Sequence, residues 1–357
     1  MWNIILTAIN AIAPIVLLIV LGYVLKRIKF LSKDFLKLGN KLVFRVLLPV
    51  MLFMNIYDSD WSAFRWDIIL YALIAISVIF CLGLLTCILT TKKAERRGVI
   101  LQCIFRSNFA IIGTSLAASL AGNGLGQSVS ANVALLQAFS IPVFNILAVI
   151  SLSVFAGKEP ATDEKTQSEA AASVKPKHGV KAILKGIVTN PLIIGVAVGL
   201  VFLGIRQAEV AAFGEVVFSI KNHLTFLHSA LAMLGSIASP LALIVLGGQF
   251  EFSATKGMLK EIIVATSWRL VLAPLLGIGV AVLLTRYTPI LPLGPSEFPA
   301  LVALFATPVA VSSAIMAAEM KSDEQLATQL VVWTSILSII TIFVTVCLLM
   351  AAGYLAT

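Results

Sequence analysis

One feature constrains this chain more than any other: apolar stretches long enough to cross a bilayer recur from one end to the other. A spanning helix needs about 20 apolar residues. Ten segments reach that length, at 3–25, 38–57, 67–90, 99–120, 131–155, 183–205, 228–249, 261–285, 298–318 and 326–353. Backbone in hydrocarbon must satisfy its own hydrogen bonds, and single segments do so as helices. The expected fold class is therefore an all-α membrane protein with ten transmembrane helices. Composition agrees: 59% of the 357 residues are hydrophobic and 12% are charged, against about 25% charged in soluble domains. The run from Ile4 to Leu25 has no basic region before it and is too long for a signal sequence, so it reads as the first spanning helix.

The net charge of +9 would suit a nucleic-acid partner if it were clustered. Instead the basic residues sit in the connections after odd-numbered segments: Lys26, Arg27, Lys29, Lys33 and Lys37, then Lys92, Lys93, Arg96 and Arg97, and later Lys256, Lys260 and Lys321. The alternate connections hold only Arg65, Arg206, Lys221 and Arg286. Positive charge marks the cytoplasmic side. The expected partner is thus the lipid bilayer of the cytoplasmic membrane and not nucleic acid, with both termini outside. The polar stretch Gly157 to Gly179 reads as a solvated cytoplasmic tether. Expected units are 1–156, a linker over 157–182, and 183–357.

Five segments lie on each side of that linker, and the two sets resemble each other. Pro14 pairs with Pro191, Pro49 with Pro240, and Asp67 with Glu261. Phe105 to Ser115 aligns without a gap on the stretch beginning Phe305, placing Asn108 on Pro308 and Gly113 on Ser313. Five is odd, so the second set enters the membrane from the opposite side as an inverted repeat. The aligned pair interrupts the fourth and ninth helices, which are expected to be broken and to cross near the midplane. Pro308 lacks an N–H, and Gly113 lets another backbone approach. Broken helices aim amino ends at a small space and favour an anion there.

The candidate substrate-binding residues follow. Arg106 is a cation inside an apolar segment, costing about 2.5–3.5 kcal/mol at a helix centre. Ser107, Asn108 and Gly113 share its stretch, and Thr307, Pro308, Ser312 and Ser313 form the opposite side. A second tier comprises Asn55, Gln137, Asn145, Gln249 and Arg269, the last placed to stack on Trp268. No Asp or Glu falls in the middle of a segment, which points to an anionic substrate. Hydroxyls and carbonyls still suffice for sodium, so coupling to sodium or protons stays open. Cys81, Cys87, Cys103 and Cys347 form no CxxC pair; neither a metal site nor a cofactor is expected. Motifs of hydrolases, nucleotide-binding proteins and zinc proteases are missing, so an enzyme is not expected.

Four stretches resemble the auxin efflux carrier family, whose bacterial members include malate and malonate permeases. They are Lys41 to Pro49, Phe105 to Gly113, Asn190 to Gly195 and Ala306 to Ser313. The resemblance covers essentially the whole chain. The resemblance implies two inverted five-helix repeats, a scaffold part and a transport part, crossed fourth and ninth helices at the site, and pairing into a homodimer. Thr114-Ser115 stand where the family often has proline, which implies a gentler kink centred on Gly113. The expected function is transport of small organic anions, carboxylates such as malate, malonate or auxin-like acids, by alternating access. The alternatives are a sodium-coupled symporter of the bile-acid type and an anion-binding receptor without transport.

Overall fold

The computed structural model describes residues 2–58, 65–121, 124–155 and 187–355, with side chains of the first helix described from residue 13 onward. The expected linker over 157–182 lies outside the described residues. Among the described residues the regular secondary structure is helical, apart from one isolated bridge between Ser107 and Val309. In chain order the longer helices are α1 (Trp2–Arg27), α2 (residues 33–57), α3 (Trp66–Thr90), α4a (Ala94–Phe105), α4b (Phe109–Leu120), α5 (Gly126–Val154), α6 (Pro191–Phe213), α7 (Thr225–Gln249), α8 (Phe252–Tyr287), α9a (Phe298–Phe305), α9b (Val311–Glu319) and α10 (Glu324–Ala351). Six of them, α3, α5, α6, α7, α8 and α10, are each long and apolar enough to cross a membrane.

Several helices begin earlier than hydropathy suggests. Lys33 and Lys37 belong to α2, Arg96 and Arg97 to α4a, and Lys256 and Lys260 to α8, not to connections. The start of α2 shows why. The Phe35 N–H donates to Ser32 Oγ at 3.1 Å, and Asp34 lies in the first turn. Such a cap starts a helix irrespective of apolarity.

Proline shapes the helix interiors. The missing N–H of Pro49 frees a carbonyl one turn earlier, where α2 widens into a π turn over Val43–Leu47. Pro274 in α8 sits between two such turns, Trp268–Leu272 and Leu275–Gly279. A wider turn is one way to absorb a lost helical bond.

Two packing groups emerge. Helices α1, α2, α6 and α7 pack on one another, and α3, α4, α5, α8 and α9a form the second group; α10 lies against α9b, α8 and α1. Helices α1 and α7 approach so closely that a Cβ on Gly22 would strike the Ile244 carbonyl and one on Gly247 the Ile19 carbonyl. Small residues permit such contact between membrane helices. Ion pairs fasten the second group at both ends. Arg96 reaches Glu261 at 2.7 Å and Asp323 at 2.9 Å. Arg65 bonds Asp67 beside it and Glu297 at 2.9 Å. Leu17, Leu70, Ile74, Leu89, Phe226 and Leu348 are among many exposed large apolar side chains, as expected of a surface facing lipid.

Candidate functional site

Both aligned stretches break their helices. Helix α4a ends at Phe105 and α4b starts at Phe109; α9a ends at Phe305 and α9b starts at Val311. The freed backbone groups satisfy each other across the gap. Asn108 N–H donates to the Pro308 carbonyl at 2.7 Å, and Ala310 N–H to the Arg106 carbonyl at 3.3 Å. Val309 N–H donates to Thr334 Oγ1 on α10 at 3.3 Å. This miniature antiparallel pairing is how unwound backbone survives deep inside a membrane protein.

The break in α4 owes nothing to Gly113. It falls at 106–108, whereas Gly113 lies inside the π turn Phe109–Gly113 and touches α9a. A Cβ on Gly113 would meet the Ala303 carbonyl at 2.9 Å, so its role is close packing, and a kink centred on it is not what forms. Thr114 and Ser115 continue the helix, their hydroxyls donating to the carbonyls of Ala110 and Ile111 at 3.2 and 3.4 Å.

Arg106 sits at the break and is only 4% exposed. Its guanidinium donates to Asn145 Oδ1 at 2.7 Å, to Gln102 Oε1 at 3.3 Å and to Met316 Sδ at 3.4 Å. All three partners are neutral. Beside it, Ser107 Oγ and Asn108 Nδ2 are buried without a hydrogen-bond partner, as is Ser313 Oγ. Such atoms cost about 1–3 kcal/mol each when left unpaired; a ligand or water that reaches them recovers that energy.

Arg106, Ser107, Asn108, Asn145 and Ser312 border a cavity of about 40 Å3, lined also by Met51, Phe144 and Ser239. That space holds about three waters. Of the remaining expected residues, Gly113, Thr307, Pro308 and Ser313 lie behind its wall: Thr307 Oγ1 bonds the Ala303 carbonyl at 2.9 Å, and Pro308 contributes its carbonyl to Asn108. Met51 and Phe144 escaped sequence reading because apolar side chains in a membrane segment carry no mark of facing a cavity. Ser239, before Pro240, was one polar signal that could have been followed. Gln102, one helical turn before Arg106, was another.

Two larger spaces open at opposite ends of α2. One, about 710 Å3, is lined by Asn55, Asp58, Thr114, Gln137 and Ser236, and shares Met51, Ala110, Ile111 and Ser239 with the central cavity. There Gln137 donates to the Phe109 carbonyl at 3.1 Å and to Thr114 Oγ1 at 2.8 Å. The other, about 460 Å3, has Lys26, Lys37, Gln249, Glu319 and Glu324 in its walls and shares none of the central residues. The second tier is thus dispersed: Asn145 at the centre, Asn55 and Gln137 at one mouth, Gln249 at the other.

Arg269 does not stack on Trp268. It is 1% exposed and turns inward, donating to the Ile104 carbonyl at 3.2 Å and to the Phe305 carbonyl. Buried carbonyls at helix ends offered a better partner than a ring face. Among the described residues no group of His, Cys, Asp and Glu is placed to hold a metal ion.

Residues 7–346 match the family described as membrane transport protein. A comparison with curated proteins finds no match.

Proposed function

The chain belongs to this membrane transport protein family, the auxin efflux carriers, and from that premise we propose that it carries small organic anions, with the crossing of α4 and α9 as the binding site. The protein is a multi-pass membrane protein, and members of its family are transporters, not enzymes. One observation carries the reading: a buried guanidinium with only neutral partners, beside unpartnered Ser107 and Asn108 atoms, at the edge of a cavity. A carboxylate there would supply the missing counter-charge. An unpaired cation in low dielectric costs several kcal/mol. Arg106, Ser107, Asn108 and Ser312 would contact it, while Gly113, Thr307, Pro308 and Ser313 would support the two walls.

Alternating access fits the sizes of the spaces. The central cavity is too small for malate or malonate, whereas both outer spaces, at about 710 and 460 Å3, lie in the range of ligand pockets. Transport then requires the α1, α2, α6, α7 group to rock against the group carrying the breaks, widening the site toward one mouth at a time. The basic residues at the mouth bordered by Lys26 and Lys37 favour that side as cytoplasmic, with both termini outside.

Ten spans in two inverted repeats, 1–156 and 183–357 joined by the 157–182 tether, complete the proposal. The packing supports it. In the pairing of Pro14 with Pro191 and Pro49 with Pro240, Gly22 corresponds to Gly199 and Ile244 to Phe53. Gly22 abuts the Ile244 carbonyl, and a Cβ on Gly199 would lie 3.2 Å from the Phe53 carbonyl. The α1–α7 contact therefore has its counterpart in α6–α2.

The test is uptake of labelled malonate, malate and indole-acetate into proteoliposomes. Wild type should transport at least one of them and Arg106→Ala none, at equal incorporation. Transport by Arg106→Ala at the wild-type rate would remove Arg106 from the site. Repeating the assay with imposed sodium and proton gradients identifies the coupling ion.

A further inference from the structure

Two broken helices bring four helix ends to one place. Helices α4a and α9a end there, and α4b and α9b begin there. Each end carries about half an elementary charge, negative at the carboxyl end and positive at the amino end. Left alone, these partial charges nearly cancel, so the helix ends themselves favour neither sign of ligand and add nothing to the preference that Arg106 sets.

Arg269 removes the balance. Its side chain leaves the π turn Trp268–Leu272 of α8 and reaches the carbonyl ends of both half-helices, at Ile104 and Phe305. Ile104 is the penultimate residue of α4a, and Phe305 is the last of α9a. Among the described residues Arg269 forms no salt bridge with a carboxylate. Among the described residues no side chain caps the amino ends of α4b and α9b. There the buried Ser107 Oγ and Asn108 Nδ2 stand unpartnered at the cavity edge. The device is also asymmetric: in the pairing of Asp67 with Glu261, the first half has Ala75 where the second has Arg269. One cation serves both carbonyl ends.

We propose that Arg269 is the positioning residue that fixes the sign of the helix ends at the crossing: by covering the carbonyl ends of α4a and α9a with one cation, it leaves the amino ends of α4b and α9b to select an anion together with Arg106. Arg269 does not line the cavity, so it acts through the half-helices and not by touching the ligand. The inference rests on the anion-site reading above.

Binding to the full-length purified protein tests it, with phenylacetate and malonate as charged probes and phenylacetamide and malonamide as neutral counterparts. Wild type should prefer the carboxylate of at least one pair. Arg269→Gln, which retains hydrogen-bond donors but no charge, should lower that preference by about tenfold while amide affinity changes little. Arg269→Lys, which retains the charge without the two-pronged reach, should keep it. Equal loss of carboxylate and amide binding in Arg269→Gln would mark a purely structural clamp and overturn the proposal, as would an unchanged preference. Should Arg269→Gln fail to fold, Arg269→Lys decides: a folded Lys variant without carboxylate preference also overturns it. A wild type with no preference would instead sink the anion-site reading itself.

Discussion

The Asn108 N–H donates to the Pro308 carbonyl at 2.7 Å, joining two residues that align with each other in the two interrupted stretches. The acceptor residue has no N–H to return, so the pairing runs one way there and continues through Ala310 and the Arg106 carbonyl. The unwound backbone between the half-helices thus seals itself.

Asn145 is the closest partner of Arg106, and changing it to Asp tests the counter-charge argument. An aspartate there forms a buried ion pair with Arg106 and does internally what a substrate anion does. Asn145→Asp should keep or raise the melting temperature while carboxylate transport falls to background. Asn145→Leu should instead destabilise by about 1.5–3 kcal/mol, the scale of a hydrogen bond to a charged group. Thermal melts and uptake on the same preparations separate the two outcomes.

Helices α1 and α7 meet at Gly22 and Gly247, each against the other helix's carbonyl. Gly22→Ala and Gly247→Ala should each cost about 1–3 kcal/mol through forced separation of the helices. The double variant should cost less than the sum, because the first separation makes room for the second methyl. Melting curves in detergent measure all three.

Ser239 borders both the central cavity and the space around Asn55 and Asp58, whereas Gln249 lines the space at the other end. In a background lacking Cys81, Cys87, Cys103 and Cys347, a membrane-impermeant maleimide applied outside should label Ser239→Cys but not Gln249→Cys. Bound substrate should slow that labelling. Labelling of Gln249→Cys from outside would reverse the proposed orientation.

Arg96 ties α4a to Glu261 and Asp323 with its side chain 11% exposed. Burial pushes its guanidinium down, but the hydrogen bonds to those two carboxylates outweigh this and hold it above the ordinary arginine value. A raised folded-state value stabilises fully below the ordinary arginine pKa and is lost only above it. The arginine's own share of stability should therefore be flat from about pH 6 to 9. Arg96→Ala should lower stability by about 1–3 kcal/mol, between exposed and buried ion pairs. Melts of both proteins across that pH range check both statements.

Hydropathy alone located the helical segments, because a bilayer forces apolar runs of fixed length, and the breaks in α4 and α9 were legible from Arg106, Asn108 and Pro308 standing where a smooth helix admits none. The membership of the chain in its family was equally written in Lys41 to Pro49 and Ala306 to Ser313. What the linear pattern left open was decided by contacts between segments far apart in sequence. Hydropathy counts a lysine against a helix, so the true start of α2 at Lys33 depended on the Ser32 cap. Gly113 serves the contact with Ala303 and not a kink, because only the neighbouring helix shows what a missing side chain makes room for. Arg269 turns to the ends of two half-helices from 36 and 165 residues away, a relation that no local spacing encodes.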